Sequence, residues 1–160
     1  MSKLAASPCN RTYAVQDVHC DILLKDRYVC LKGTAHSRVR DAITLSQFLE
    51  EKHIVASSQA GHNFYQEWYA NTDRKLTTAL TVPDLNIVAP LVESSDCISV
   101  VPETYSIQRG AHFSVTALPL PIDFPGIEVC LYSQRTLRSG KEKLWFLKTL
   151  KDICLQNRAG

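Results

Sequence analysis

The polar side chains that could bind a small molecule stand directly after three short apolar runs. They are Ser57, Ser58, Gln59 and His62 after the first run, Pro83 and Asp84 after the second, and Pro102 and Glu103 after the third. Two hydroxyls, an amide and an imidazole just ahead of a helix suit a small carboxylate or a polar aromatic ligand. Helix N-termini favour such ligands because their first N–H groups are unpaired and carry the positive end of the helix dipole.

Each of these residues also has a purely structural explanation. Ser57 or Ser58 fits the N-cap of the following helix, and His62 fits a partly exposed position at its start. Asp84 is a good N-cap residue on its own account, and Glu103 fits a first helical turn. The sequence leaves both explanations open.

The elements that must position these side chains alternate between strands and helices. They are a strand over 53–57, a helix over 61–72, a strand over 75–82, a helix over 84–94 and a strand over 97–101. Aromatic residues at i,i+4 spacing support the first helix, and Pro90 predicts a kink or a shortening of the second. This β-α-β-α-β order predicts a parallel sheet covered by helices, in which the carboxyl ends of the strands share one edge and form the ligand site.

Further elements flank this unit. We expect a strand over 21–31, a helix over 44–51, strands over 113–120 and 127–133, and an amphipathic helix over 139–156. Thr44 and Gln47 have the spacing of a capping box, in which each side chain satisfies a backbone N–H of the other residue.

Composition and motif content argue against several classes of protein. A formal net charge of +2 is too small to indicate nucleic-acid binding by itself. The six cysteines form no Cys-x-x-Cys motif, and we interpret them as reduced thiols of a cytoplasmic protein. We find no motif of an enzyme, no metal site and no cofactor site, and we expect neither a signal peptide nor a membrane span.

Several segments, taken in order, resemble one family. They are "DRYVCLKGTAHS", "TLSQFLEEKHIV", "GHNFYQEW", "LTTALTVPDL", "DCISVVPE" and "ALPLPIDFPGIEVCLYSQRTLRSGKEKLWFLKTL". They are similar to the effector-binding domain of LysR-type transcriptional regulators, in the branch of the nodulation and aromatic-catabolism regulators. The resemblance runs from about Leu23 to Ile153.

The resemblance implies a fold and a division of the chain. The expected fold is α/β and periplasmic-binding-protein-like (type II), with two lobes, parallel-rich sheets and an effector in the cleft between the lobes. Residues 1–41 and 109–160 would form a partial first lobe, and residues 42–108 would form the second. The effector would contact residues of the three loops described above: Ser57, Ser58, Gln59, His62, Pro83, Asp84 and Pro102.

Two departures from the family pattern shape the functional prediction. The helix-turn-helix pattern and the first part of the first lobe do not occur, so we expect a fragment or truncated product that does not bind operator DNA by itself. The branch has His-Phe where this chain has Asp84-Leu85, and the histidine faces the effector in relatives. An acid there would repel a carboxylate, which favours a cationic or a neutral hydroxylated effector.

The predicted function is therefore effector sensing without catalysis, in a protein that forms homo-oligomers. Three alternatives stay open at this point. The chain could be a solute-binding protein of a transport system, a small α/β enzyme, or a truncated partner that pairs with full-length relatives and binds no ligand. The missing signal peptide and the missing nucleophile or metal motif count against the first two.

Overall fold

A computed structural model describes residues 6–8, 18–57, 65, 68, 72–134 and 140–156 of the chain. In chain order the elements are β1 (Ala6–Pro8), β2 (Val18–Asp26), β3 (Tyr28–Gly33), α1 (Leu45–Glu50), β4 (Lys52–Ala56), β5 (Thr77–Val82), a 3₁₀ helix (Leu85–Ile87), α2 (Val88–Glu93), β6 (Cys97–Pro102), α3 (Glu103–Gly110), β7 (Val115–Pro119), β8 (Ile127–Gln134) and α4 (Lys141–Gln156). Within these ranges, no helix is both long and apolar enough to span a membrane.

The chain divides into two compact units. The larger unit spans Arg27–Pro125, and the smaller unit contains β1, β2, β8 and α4. The lobe boundaries predicted at 41/42 and 108/109 do not coincide with these units, because β3 and β7 pair with each other in the sheet of the larger unit. The assignment of the units to two lobes stays a prediction.

The sheet of the larger unit has five strands in the order β5-β4-β6-β3-β7. β4 pairs in parallel with both β5 and β6, so the predicted parallel arrangement of these three strands is confirmed. The helix predicted over 61–72 lies largely outside the described residues and stays a prediction. The expectation of parallel-rich sheets needs correction, since β3 runs antiparallel between β6 and β7. The smaller sheet, β1-β8-β2, is antiparallel throughout.

The sheet of the larger unit has an apolar core on each face, as a sheet covered by helices on both sides requires. β3 shows the alternation directly, because Cys30 faces one core while Val29 and Leu31 face the other. Phe48 of α1, Tyr65 and Trp68 belong to the first core. The second core contains residues of α2 and α3, namely Val88, Ala89, Val92 and Tyr105.

A buried hydrogen-bond network crosses the first core. The Nε2 atom of His53 lies 2.8 Å from the carbonyl oxygen of Phe48, and its Nδ1 lies 3.2 Å from the hydroxyl oxygen of Tyr65. The same hydroxyl oxygen accepts a hydrogen bond from the backbone N–H of Val100 at 2.9 Å. These bonds are satisfied when Nε2 carries the proton of a neutral imidazole and Nδ1 accepts from Tyr65. The network joins α1, β4 and β6.

The strand predicted over 21–31 is wrong, because this stretch forms two strands in different sheets. The apolar run 21–31 reads as one strand, but β2 ends at Asp26 and β3 begins at Tyr28 in a different sheet. The last helix, α4, leaves Leu144 and Ile153 exposed, while the ammonium group of Lys151 donates to Asp21 of β2 at 2.9 Å. The amphipathic pattern of this helix does not by itself show which of its side chains become exposed and which form contacts.

The predicted capping box at the start of α1 is confirmed. Thr44 Oγ1 accepts from the backbone N–H of Gln47 at 3.3 Å, and Gln47 Oε1 accepts from the backbone N–H of Thr44 at 3.0 Å. We expect Thr44→Ala to lower the free energy of unfolding by about 1 kcal/mol, since an N-cap hydroxyl is lost. Urea denaturation measures this loss. Ser46→Ala, in the same exposed turn, is the control, and an equal loss in both variants would contradict a capping role.

Candidate functional site

The carboxyl ends of four strands meet at one edge of the five-stranded sheet. β4, β5 and β6 are parallel, and β7 runs in the same direction because both β6 and β7 are antiparallel to β3. β3 therefore begins where these four strands end. We call this side of the sheet the carboxyl edge. It holds Ser57 at the start of the first predicted loop, the second and third predicted loops, and the segment after β7, which was not part of the predicted site.

Ser57, the described residue of the first predicted loop, is tied to its neighbouring strand. Its backbone N–H and its hydroxyl donate to the carbonyl oxygen of Val82, at 2.8 and 3.2 Å. The start of the first predicted loop is thus hydrogen-bonded to the end of β5. Ser58, Gln59 and His62 lie outside the described residues, so their part in the site stays a prediction.

Asp84 caps the 3₁₀ helix, the structural explanation that the sequence offered. Its Oδ1 accepts from the backbone N–H of Asn86 at 2.8 Å, while the carboxylate remains at the exposed surface. The predicted helix over 84–94 is shortened as Pro90 requires, because a proline at the third position of α2 has no N–H to give to residue 86.

A second cluster at the carboxyl edge links α2 to α3. The hydroxyl oxygen of Tyr105 accepts from the backbone N–H of Ala89 at 3.1 Å, so this N–H group in the first turn of α2 already has a partner. The guanidinium of Arg109 lies 5.6 Å from the centre of the Tyr105 ring and donates to the side-chain oxygen of Asn86. Burial raises the pKa of Tyr105, which keeps the phenol neutral.

Pro102 ends β6, and the residue after it forms an ion pair across the edge. Glu103 accepts from both Nε and Nη2 of Arg27, with the Nε bond at 2.8 Å. The backbone N–H of Glu103 also donates to the carbonyl oxygen of Arg27 at 2.8 Å. The Arg27 side chain is 70% exposed and that of Glu103 33% exposed, so solvent screens this pair and it contributes little to stability.

Beside this ion pair lies a cavity of about 320 Å³ within the larger unit. Its walls are Arg27, Tyr28, Val29, Glu103, Ala117, Leu118, Pro119, Leu120, Ile122, Asp123 and Phe124. The rings of Tyr28 and Phe124 meet edge to face, 5.7 Å apart at 72°. Apolar walls with a few charged groups at the rim are typical of sites for small organic molecules.

The charged groups of this cavity favour a neutral or cationic ligand over an anionic one. Its one cationic group, Arg27, already faces a carboxylate, so an anionic ligand gains little attraction there. Glu103 can accept hydrogen bonds from hydroxyl or ammonium groups, and Arg27 can donate to hydroxyl oxygens. The described part of the chain holds no group of three histidine, cysteine, aspartate or glutamate side chains that could bind a metal ion.

Sequence reasoning missed the part of the site that β3 and the segment after β7 provide. Tyr28 was assigned to one long strand over 21–31, and Phe124 to the connection between the strands predicted over 113–120 and 127–133. An aromatic residue between two prolines, in "PIDFPG", was the available signal, since a plain turn has no need of a large apolar side chain.

Comparison with known proteins identifies relatives over nearly the whole chain. A family described as LysR substrate binding domain matches residues 5–154. The HTH-type transcriptional activator NagR of a Ralstonia species is 26% identical over 132 residues, which cover 82% of this chain and 44% of that protein. The chain thus spans less than half the length of this curated relative.

Solved structures show the same fold. A probable transcriptional regulator from Pseudomonas aeruginosa superimposes with a TM-score of 0.79 at 21% identity, over 93% of this chain and 49% of that one. The effector-binding domain of QuiR, solved in complex with shikimate, superimposes with a TM-score of 0.69 at 19% identity, over 96% of this chain and 70% of that one.

Proposed function

Since this chain belongs to the LysR substrate-binding-domain family, we propose that it is the effector-sensing part of a transcriptional regulator. A small molecule binds at the carboxyl edge of the larger unit, in or beside the 320 Å³ cavity. The observation that supports this proposal is an aromatic and aliphatic cavity at the edge where strand ends and helix starts converge.

The proposed role is binding and not catalysis. An effector that binds one arrangement of the protein better than another shifts the population toward that arrangement, which is sufficient to change an oligomer or its contact with DNA. NagR is called an HTH-type activator, and by analogy DNA binding would belong to a helix-turn-helix domain outside the matched residues. The proposal includes a homo-oligomer that works in the cytoplasm.

The proposed effector is cationic or neutral and hydroxylated. Asp84 keeps its carboxylate at the surface of the edge, and Glu103 neutralises Arg27 beside the cavity. An anionic effector in the cavity would meet two carboxylates, Glu103 and Asp123, and one engaged guanidinium. Hydroxyl or ammonium groups would find acceptors in the same place.

Matched aromatic probes test the proposal. We expect catechol and benzylamine to raise the thermal midpoint of the 160-residue chain more than salicylate does, because binding to the native state stabilises it. We also expect Phe124→Ala to reduce the ligand-induced shift, since Phe124 lines the cavity. Ile107→Ala is the control, at a position of α3 that is 58% exposed.

Two results would contradict different parts of the proposal. Stabilisation by salicylate alone would contradict the effector class and leave the site in place. An equal response of the parent chain and Phe124→Ala to every probe that binds would contradict the cavity as the effector site.

A further inference from the structure

A second cavity, of about 510 Å³, lies in the larger unit at the opposite end of β3. Its walls are Lys32, Thr34, Ala35, His36, Val39, Arg40, Asp41, Thr116 and Leu118. It shares only Leu118 with the cavity at the carboxyl edge. The function proposed above does not use this second cavity.

The notable residue in its wall is Lys32, a lysine that is only 4% exposed. The Nζ atom of Lys32 donates to the carbonyl oxygen of Gly33 at 3.3 Å, a long bond to a neutral acceptor. Among the described residues no carboxylate forms an ion pair with this ammonium group. A buried charge without an opposite charge is costly, and an anion in the adjoining cavity would remove that cost.

The buried carboxylate of this region is already engaged. Glu51, which is 3% exposed, accepts from Nε of Arg38 at 2.9 Å and from Nη2 of the same guanidinium. Its two oxygens thus face Arg38 in a bidentate pair. Glu51 therefore neutralises the charge of Arg38, and no carboxylate among the described residues neutralises the charge of Lys32.

The neighbouring histidine adds a donor and no negative charge. Nδ1 of His36 accepts from the backbone N–H groups of Arg38 and Val39, at 3.2 and 3.1 Å, so the proton of the neutral ring is on Nε2. That buried Nε2 makes no hydrogen bond and lies 3.9 Å from Glu51. Arg40 and Asp41 carry opposite charges at the rim of the cavity. The net charge of the cavity wall is therefore that of Lys32.

We propose that this cavity binds a small organic anion, a monocarboxylate with a short apolar tail. Its carboxylate would pair with the ammonium of Lys32 and accept from the hydroxyls of Thr34 and Thr116. The side chains of Ala35 and Leu118 in the wall would cover the tail. Two buried polar side chains in the wall, Lys32 and His36, distinguish this cavity from a surface depression.

Isothermal titration of the 160-residue chain with butyrate and with butyramide tests the proposal. The two probes have nearly the same shape, but only butyrate is charged. We expect butyrate to bind and butyramide to bind about 10- to 100-fold more weakly, from the usual strength of hydrogen bonds to charged groups. We expect Lys32→Met to weaken butyrate binding by a similar factor.

Lys52→Met is the matched control, because Lys52 is an exposed lysine of the neighbouring strand β4. It should bind butyrate as the parent chain does. Lys32→Met should unfold at the same or a higher temperature than the parent, since it removes an unpaired buried charge. Equal binding of butyrate and butyramide to the parent chain would overturn the proposal without any variant. Undiminished butyrate binding to folded Lys32→Met would overturn it as well.

Discussion

Phe48→Ala is expected to lower the free energy of unfolding of the larger unit by about 3–5 kcal/mol, the usual range for Phe→Ala in a core. Phe48 is fully buried, and its ring meets those of His53 and Trp68 edge to face, at 4.9 and 6.0 Å. Truncation removes both ring contacts and opens a cavity in the first core. Because α1 contributes no other fully buried side chain, little can move in to fill it.

Tryptophan fluorescence during urea unfolding measures this loss. The chain has two tryptophans, and a Trp145→Phe background leaves Trp68 as the reporter of the larger unit. The control is Phe146→Ala, the same truncation at a side chain that is 44% exposed. We expect the control to change the unfolding free energy by no more than about 0.5 kcal/mol. Similar losses in the two variants would contradict a central role for Phe48.

His53 is expected to make the larger unit less stable as the pH falls below about 6.5, the ordinary pKa of the imidazole. Burial lowers the pKa of folded His53; the bond to the Phe48 carbonyl and the charge of Glu51 oppose this shift in part. The unfolded chain therefore binds a proton more readily. The stabilising contribution of neutral His53 is complete above the unfolded pKa and is lost as the pH drops toward the folded pKa.

The slope of stability against pH provides the measurement. One proton taken up on unfolding gives at most about 1.4 kcal/mol per pH unit, and stability should rise with pH over this window. We expect His53→Gln to be less stable than the parent at pH 7.5, since it disturbs the bonds to Phe48 and Tyr65, and to have a smaller slope between pH 5 and 6.5.

The control for this experiment is His112→Gln, because His112 is exposed in the segment after α3. This variant should keep the slope of the parent chain. An unchanged slope in His53→Gln would show that another group governs the acid sensitivity. That result would contradict the assignment to His53.

Predictions from the sequence were correct where the structure depends on residues close together in the chain. The capping box at Thr44 depends on two side chains three residues apart, and the structure confirms it. The cap at Asp84 and the shortened helix at Pro90 follow from the same short-range chemistry. The parallel arrangement of β4, β5 and β6 needs one further rule, that short crossovers join parallel strands, and it too is confirmed.

Failures occurred where long-range pairing decides. Nothing in "DILLKDRYVCL" marks Arg27 as the residue where the chain leaves one sheet and enters another. The strands predicted over 113–120 and 127–133 belong to different sheets, since β7 pairs with β3 whereas β8 pairs with β1 and β2. The cavity at the carboxyl edge was missed for the same reason, since its walls come from β3, α3 and the segment after β7.

By itself the sequence determined the α/β class, the family resemblance and the order of the three parallel strands, because hydrophobic period, caps and motif order are properties of neighbouring residues. Only the tertiary structure decided which residues meet across the chain. It paired Arg27 with Glu103 and placed Tyr28 against Phe124. It also left the charge of Lys32 buried without a carboxylate among the described residues, since burial and pairing depend on distant segments that no local pattern encodes.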